Sequence, residues 1–271
     1  MVPNRLARGL GVLFVATGAL ACGGGEHDIG EVQIAAVTEN ALTANALTAN
    51  ALTANALTAN ALTANALTAN ALTANALTAN ALTANGLMDP LAIEFLKYVV
   101  SCALTENQSL TVGTGSSKVT LPGSLGLAPQ WGLKNGSCDG SCQRWVSACV
   151  LARVDAAGVE REISIRGLNL ALLPSWNELA TYSQREATYF GNVFIPGQPR
   201  FLCLPPGATS DQRVCGDSMT DCPMTVVGSC ARDCLTQGLF GDYDVCSDAG
   251  RIGTGHTYLE SVTVFLPKTT M

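Results

Sequence analysis

Ser141-Cys142-Gln143-Arg144-Trp145-Val146-Ser147-Ala148-Cys149-Val150-Leu151-Ala152-Arg153-Val154 is the stretch on which the fold turns. Ser141 suits a helix N-cap. Cys142, Trp145, Cys149 and Ala152 then recur at three- and four-residue steps, which predicts a helix with one buried stripe. Cys142 and Cys149 lie two turns apart on that stripe, about 10 Å by helix rise. A disulfide cannot reach that far, so the two do not pair with each other. Each must find a partner elsewhere, and Cys102 and Cys138 are the nearest candidates in the chain.

Working outward, Asp89-Pro90 opens an earlier helix, with Asp89 as cap and Pro90 in the first turn. Leu91, Phe95, Val99 and Cys102 share its apolar face. Residues 108–112 and 118–121 read as short strands around a Gly-Ser turn. Glu162 to Arg166 alternates polar and apolar, as a half-buried strand does. Trp176 to Ser183 reads as a short helix. Thr188 to Ile195, Phe201 to Leu204 and Tyr258 to Leu266 read as strands. Residues 205–250 carry five cysteines with many Gly and Asp, and are expected to be loop-rich. The fold class expected for residues 86–271 is therefore α+β and disulfide-rich, in a segment large enough for its own core.

The 11 cysteines of the 271-residue chain divide unevenly. Cys22 stands alone near the start. The other ten are Cys102, Cys138, Cys142, Cys149, Cys203, Cys215, Cys222, Cys230, Cys234 and Cys246. An even set in an exported protein reads as five disulfides. The spacings Cys138-x3-Cys142 and Cys230-x3-Cys234 would also suit zinc clips, but exported thiols oxidise.

The N-terminus supplies the export signal. Arg5 and Arg8 precede an apolar run from Leu10 to Leu20, too short and too Gly-broken for a membrane span. Ala19-Leu20-Ala21-Cys22 follows. Here the chain resembles bacterial lipoprotein precursors, whose lipobox ends in a small residue before the acylated Cys. Ala19 stands where that family prefers Leu, and Ala-Leu-Ala also suits ordinary signal peptidase. The resemblance implies a signal peptide over residues 1–21, lipidation at Cys22 and a membrane as partner through the acyl chains. Gly23 in place of Asp implies the outer membrane.

Residues 22–40 form an acidic tether with Glu26, Asp28, Glu31 and Glu39 and no Lys or Arg. Residues 41–85 are nine error-free copies of Ala-Leu-Thr-Ala-Asn. A period of five steps each Leu about 140° around a helix, so no single apolar face forms. The array resembles pentapeptide-repeat proteins, although the small residue and the Asn stand one position out of that family's frame. The expectation is a spacer: disordered, weakly helical or a short β-solenoid. As a coil, residues 23–85 would span roughly 45 Å. The Cys-rich domain resembles cysteine-rich lipoproteins of predatory soil bacteria, a resemblance that carries no functional residue.

Composition limits the function. Net charge is −6, so phosphate neutralisation and a nucleic-acid partner are excluded. Two His argue against His-based metal or acid–base chemistry. Gly216-Asp217-Ser218 resembles the nucleophile segment of two serine-hydrolase families, but Met219 and Thr220 replace the glycines of one. For the other, Gly253 stands where an Asp should precede His256 by three. Asp242, Asp244 and Asp248 cluster around Cys246 without the EF-hand pattern, and read as a solvated acidic loop. Trp145 belongs to the helix stripe. Trp131 and Trp176 sit in loop contexts and are candidate binding aromatics for a carbohydrate or protein ligand. No catalytic residue, metal ligand or cofactor is assigned. The expectation is a lipid-anchored envelope protein presenting an interaction domain, with an exported hydrolase acting on cell wall or polysaccharide as the alternative.

Overall fold

The computed structural model describes residues 51–54, 90–112, 118–133, 135–157, 161–195, 197, 199–217, 220, 222–250 and 253–268. Residues 1–21, Cys22, the acidic tether and all but one stretch of the repeats lie outside them, as does Ser218.

Two long helices come first. Helix α1 (Pro90–Ala103) starts at the expected proline. Strands β2 (Ser109–Val112) and β3 (Val119–Pro122) pair antiparallel as the expected hairpin. Helix α2 spans Gly140–Ala152. Its cap is Asp139, whose side chain accepts from the Cys142 N–H at 2.8 Å, rather than Ser141. The Ser141 hydroxyl turns instead to the Glu260 carboxylate. Helix α3 (Trp176–Thr181) is capped by Ser175, whose Oγ accepts from the Glu178 N–H.

The strands of the main sheet are β1 (Ala51–Ala54), β4 (Arg161–Arg166), β5 (Gln184–Gly191), β6 (Arg200–Leu204), β7 (Thr225–Ser229) and β11 (Ser261–Leu266). They lie in the order β1-β4-β11-β5-β6-β7, antiparallel except for β6 with β7. β5 begins four residues before the expected Thr188 and ends before Val193, because Gly191, at φ 140°, closes against the Pro199 carbonyl. A Cβ there would stand 2.2 Å from that oxygen. A second sheet has the order β10-β9-β8, from Thr257–Tyr258, Tyr243–Ser247 and Cys234–Gln237. Short helices α4 (Gln212–Cys215) and α5 (Cys230–Asp233) join these strands. Residues 205–250 are thus far richer in strand than their Gly and Asp content suggested. The turns that carry those residues are short and the cross-links hold the segments between them extended.

Side-chain alternation splits the main sheet into two chemistries. One face carries Ile163, Ile165, Ala187, Tyr189, Leu202, Leu204, Val262 and Val264, and joins the core formed with α1 and α2. Phe95, Leu96, Val99, Val146, Leu151 and Trp131 fill that core. From Val146 to Ala152 every residue of α2 is buried. The expected single stripe is therefore too narrow: α1 covers one side of the helix and strands β5 and β11 cover another. Trp145 is only partly buried, packing at the rim. The other face carries Ser164, Arg166, Thr188, Cys203 and Thr263, all buried. Phe190, Cys203, Cys230, Cys234, Tyr243, Cys246 and Tyr258 form a second, smaller cluster.

Five disulfides link all ten cysteines: Cys102–Cys149, Cys138–Cys142, Cys203–Cys230, Cys215–Cys222 and Cys234–Cys246. Cys149 joins the two long helices through Cys102, one of its expected partners, while Cys142 takes Cys138. Neither imagined zinc clip survives, because each of these sulfurs is bonded to another sulfur. The Sγ atoms of Cys203, Cys234 and Cys246 lie within 4.8 Å of one another, but they belong to two disulfides in contact.

Candidate functional site

Trp131 is fully buried and meets Phe194 edge to face, with ring centroids 5.6 Å apart. It is a core residue, which corrects its reading as an exposed binding aromatic. The 3-10 turn Pro129–Gly132 rolls the indole inward beneath α1. Trp176, at the start of α3, is 85% exposed.

The segment leading to Trp176 is unusual. Leu168, Leu170, Leu173 and Trp176 are all exposed, Leu170 by 86%. Leu239, at the tip of the β8–β9 hairpin, is 92% exposed. Leu168, Leu170, Leu173 and Leu239 line one groove of about 230 Å³, with Phe240 and Asp242. Single exposed leucines are ordinary, whereas several around one concavity mark a contact surface. None of these leucines was singled out from the sequence. The signal was there in Leu168-Asn169-Leu170-Ala171-Leu172-Leu173, an apolar run between Gly167 and Pro174 that fits neither strand nor helix periodicity. Only Leu172 of its leucines is buried.

Behind the groove lies a buried acid pair. Asp242 is 3% exposed and Asp244 1%, which corrects their reading as a solvated loop. Their carboxyls hydrogen-bond each other, and the Leu168 N–H donates to Asp244. The Oδ1 atom of each has no partner. Gly238 leaves the space: a Cβ there would stand 2.4 Å from an Asp242 oxygen. Burial first, then the Asp242 charge, pushes Asp244 up to about 7, so the pair holds a proton near neutrality. Next to it Val245 has φ 58°, a strained conformation for a β-branched residue. Asp248 points elsewhere, accepting the His256 N–H at 2.8 Å. His256 is exposed and its ring stands edge-on to Tyr258.

A larger polar cleft of about 670 Å³ opens at the other side of the strand ends, lined by Glu162, Arg185, Glu186, Asp211 and Arg213 among others. Arg213 is bidentate to Glu186, with Nη2 to Oε2 at 2.7 Å, and also donates to the Tyr189 hydroxyl at 2.9 Å. Tyr189 in turn donates to Asp211. Burial opposes the Arg213 charge, but Tyr189 and Glu186 hold its pKa above the ordinary value. Burial lifts Glu186 above the usual carboxylate range, against the pull of Arg213. Glu162 accepts from the Tyr182 hydroxyl, and Asp211 also caps α4 through the Val214 N–H. Each carboxylate here is committed to an internal partner, an arrangement that locks α4 to β5. A general acid or base needs a carboxyl turned toward substrate instead.

Among the described residues no helix is long and apolar enough to cross a membrane. Comparison with protein-family models, with curated proteins and with solved structures found no match.

Proposed function

We propose that this protein is an exported lipoprotein that presents its disulfide-stapled domain at the bacterial cell surface as a protein-interaction module. The observation that carries the interaction reading is the exposed leucine groove of Leu168, Leu170, Leu173 and Leu239, with Trp176 three residues beyond Leu173. Water-exposed apolar area of this density favours association with apolar side chains of a partner. Leucines outnumber aromatics in it, which favours a protein ligand over a carbohydrate, since sugars stack on rings. The anchoring half of the proposal rests on Ala19-Leu20-Ala21-Cys22 and the outer-membrane destination on Gly23. The acidic tether and repeats would hold the groove off the bilayer.

Two experiments test the two halves separately. Cys22→Ser should release the protein from membranes and abolish labelling by a fatty-acid probe; unchanged membrane fractionation would overturn the anchor. A photo-crosslinking residue at Leu239 in intact cells should give a discrete protein adduct that Leu170→Asp removes. Absence of any adduct would overturn the interaction surface.

A further inference from the structure

One copy of the repeat is not spacer at all. Strand β1 is Ala51-Leu52-Thr53-Ala54, the first four residues of the third repeat copy, and it pairs antiparallel with β4. The register sets Ala51 against Ser164, Leu52 against Ile163, Thr53 against Glu162 and Ala54 against Arg161. The other side of β4 is taken by β11. Without β1, β4 would be an open edge, its outward N–H and C=O groups unpaired.

Every one of the nine copies carries the same Ala-Leu-Thr-Ala. A slide of the array by one copy therefore returns the identical residue to each position opposite β4, while slides of one to four residues do not. The odd period adds a second constraint. Side chains alternate faces every residue along a strand, so consecutive copies in one long strand would present opposite faces. That limits docking to one copy at a time, and the Asn that ends each copy is a poor strand former. Copies differ only in the length of chain between them and α1, and loop-closure cost grows slowly with length, about threefold in occupancy per doubling.

We propose that the edge of β4 is a strand-acceptor site for an extended, uncharged Ala-Leu-Thr-Ala peptide, and that the chain's own repeat array is its exchangeable ligand. Main-chain hydrogen bonds supply the attraction, as in strand addition generally. The clasp docks whichever copy is in reach, so the undocked tether changes in steps of five residues. Copy number can then vary while the acceptor stays filled.

Amide hydrogen exchange of residues 161–166 in the otherwise full-length Cys22→Ser protein tests this. Removing residues 41–55, which deletes the docked copy and two others, should leave β4 protection within about twofold, because six copies remain. Leu52→Pro, which removes a strand donor from the third copy alone, should likewise leave it unchanged. Removing all nine copies should speed exchange of the outward-facing amides by about tenfold or more. A synthetic peptide of three Ala-Leu-Thr-Ala-Asn units should then restore protection with increasing dose. Loss of protection in Leu52→Pro, or in the three-copy deletion, would overturn exchange in favour of one fixed strand. Unchanged protection after removing all nine would overturn the acceptor site. Protection that rises with protein concentration, with a dimer in sedimentation, would assign the site to a second copy of the chain and overturn the intramolecular ligand.

Discussion

The two faces of the main sheet are held by different forces. The helix-side face buries only apolar groups and one tyrosine from β4, β5, β6 and β11 against α1 and α2. Each fully buried large side chain there contributes about 1.5–3 kcal/mol by leaving water. The opposite face buries Ser164, Arg166, Thr188 and Thr263, which transfer cost must disfavour unless each is hydrogen-bonded. They are: Thr188 and Thr263 hydroxyls meet at 2.8 Å, Thr263 accepts the Tyr243 N–H, and Arg166 donates to the Phe240 carbonyl while stacking on Phe265. That face gains little from apolar burial, so two disulfides, Cys203–Cys230 and Cys234–Cys246, hold β8, β9 and α5 over it. The large core holds the Cys102–Cys149 bond as well, but there the buried apolar side chains supply most of the stability. Where a core is small and polar, cross-links must limit the unfolded chain.

The largest expected effect follows from removing both cross-links of the polar face. Changing Cys203, Cys230, Cys234 and Cys246 to Ala together should cost about 2–5 kcal/mol per bond. Residues 225–250 should then become protease-sensitive while α1 and α2 keep their helical circular dichroism. Simultaneous loss of both would erase the distinction between the faces.

Next comes the charged cluster that meets the apolar side at Tyr189. Arg213→Ala leaves Glu186 and Asp211 buried without their cation, and should cost about 3–5 kcal/mol in denaturant unfolding. Arg213→Met with Glu186→Leu should recover much of that loss if the pair serves structure alone. Leu151→Ala should cost about 2–5 kcal/mol, through lost transfer energy and the cavity left behind. Its effect should be global, lowering the stability of both faces together.

The acid pair gives the polar face a pH dependence of its own. Asp244 is raised from 3.8 to about 7. Between those values the folded protein binds more protons than the unfolded chain, so stability should fall as pH rises through that window. Asp244→Asn should flatten that part of the pH profile, measured by thermal unfolding; a profile unchanged by the substitution would remove the pair as its source. The smallest effect belongs to Val245. Val245→Gly should relieve its positive φ and raise stability by up to about 1 kcal/mol.

Element by element, periodicity served where local signals are strong. Pro90, the paired strands 109–112 and 119–122 and the alternating 162–166 stretch all lie in the elements expected of them. Caps misled, since Asp139 and Ser141 are both good cap residues and the choice between them depended on Glu260, 119 residues from Ser141. Trp131 and Trp176 looked alike in sequence and separated completely. Both follow turn-forming residues, and only the packing of Phe194 against one ring distinguishes them.

By itself the sequence determined that the C-terminal part is α+β, that its ten cysteines form an even set, and that Cys142 cannot bond Cys149. Those follow from local periodicity, counting and helix rise, which need no tertiary information. Only the tertiary structure decided which cysteines meet, which tryptophan is exposed, that Asp242 and Asp244 are buried, and that a repeat copy closes the edge of β4. Each of these depends on groups far apart in the chain arriving at one place. Burial and strand pairing are properties of that arrival, and no local pattern encodes them.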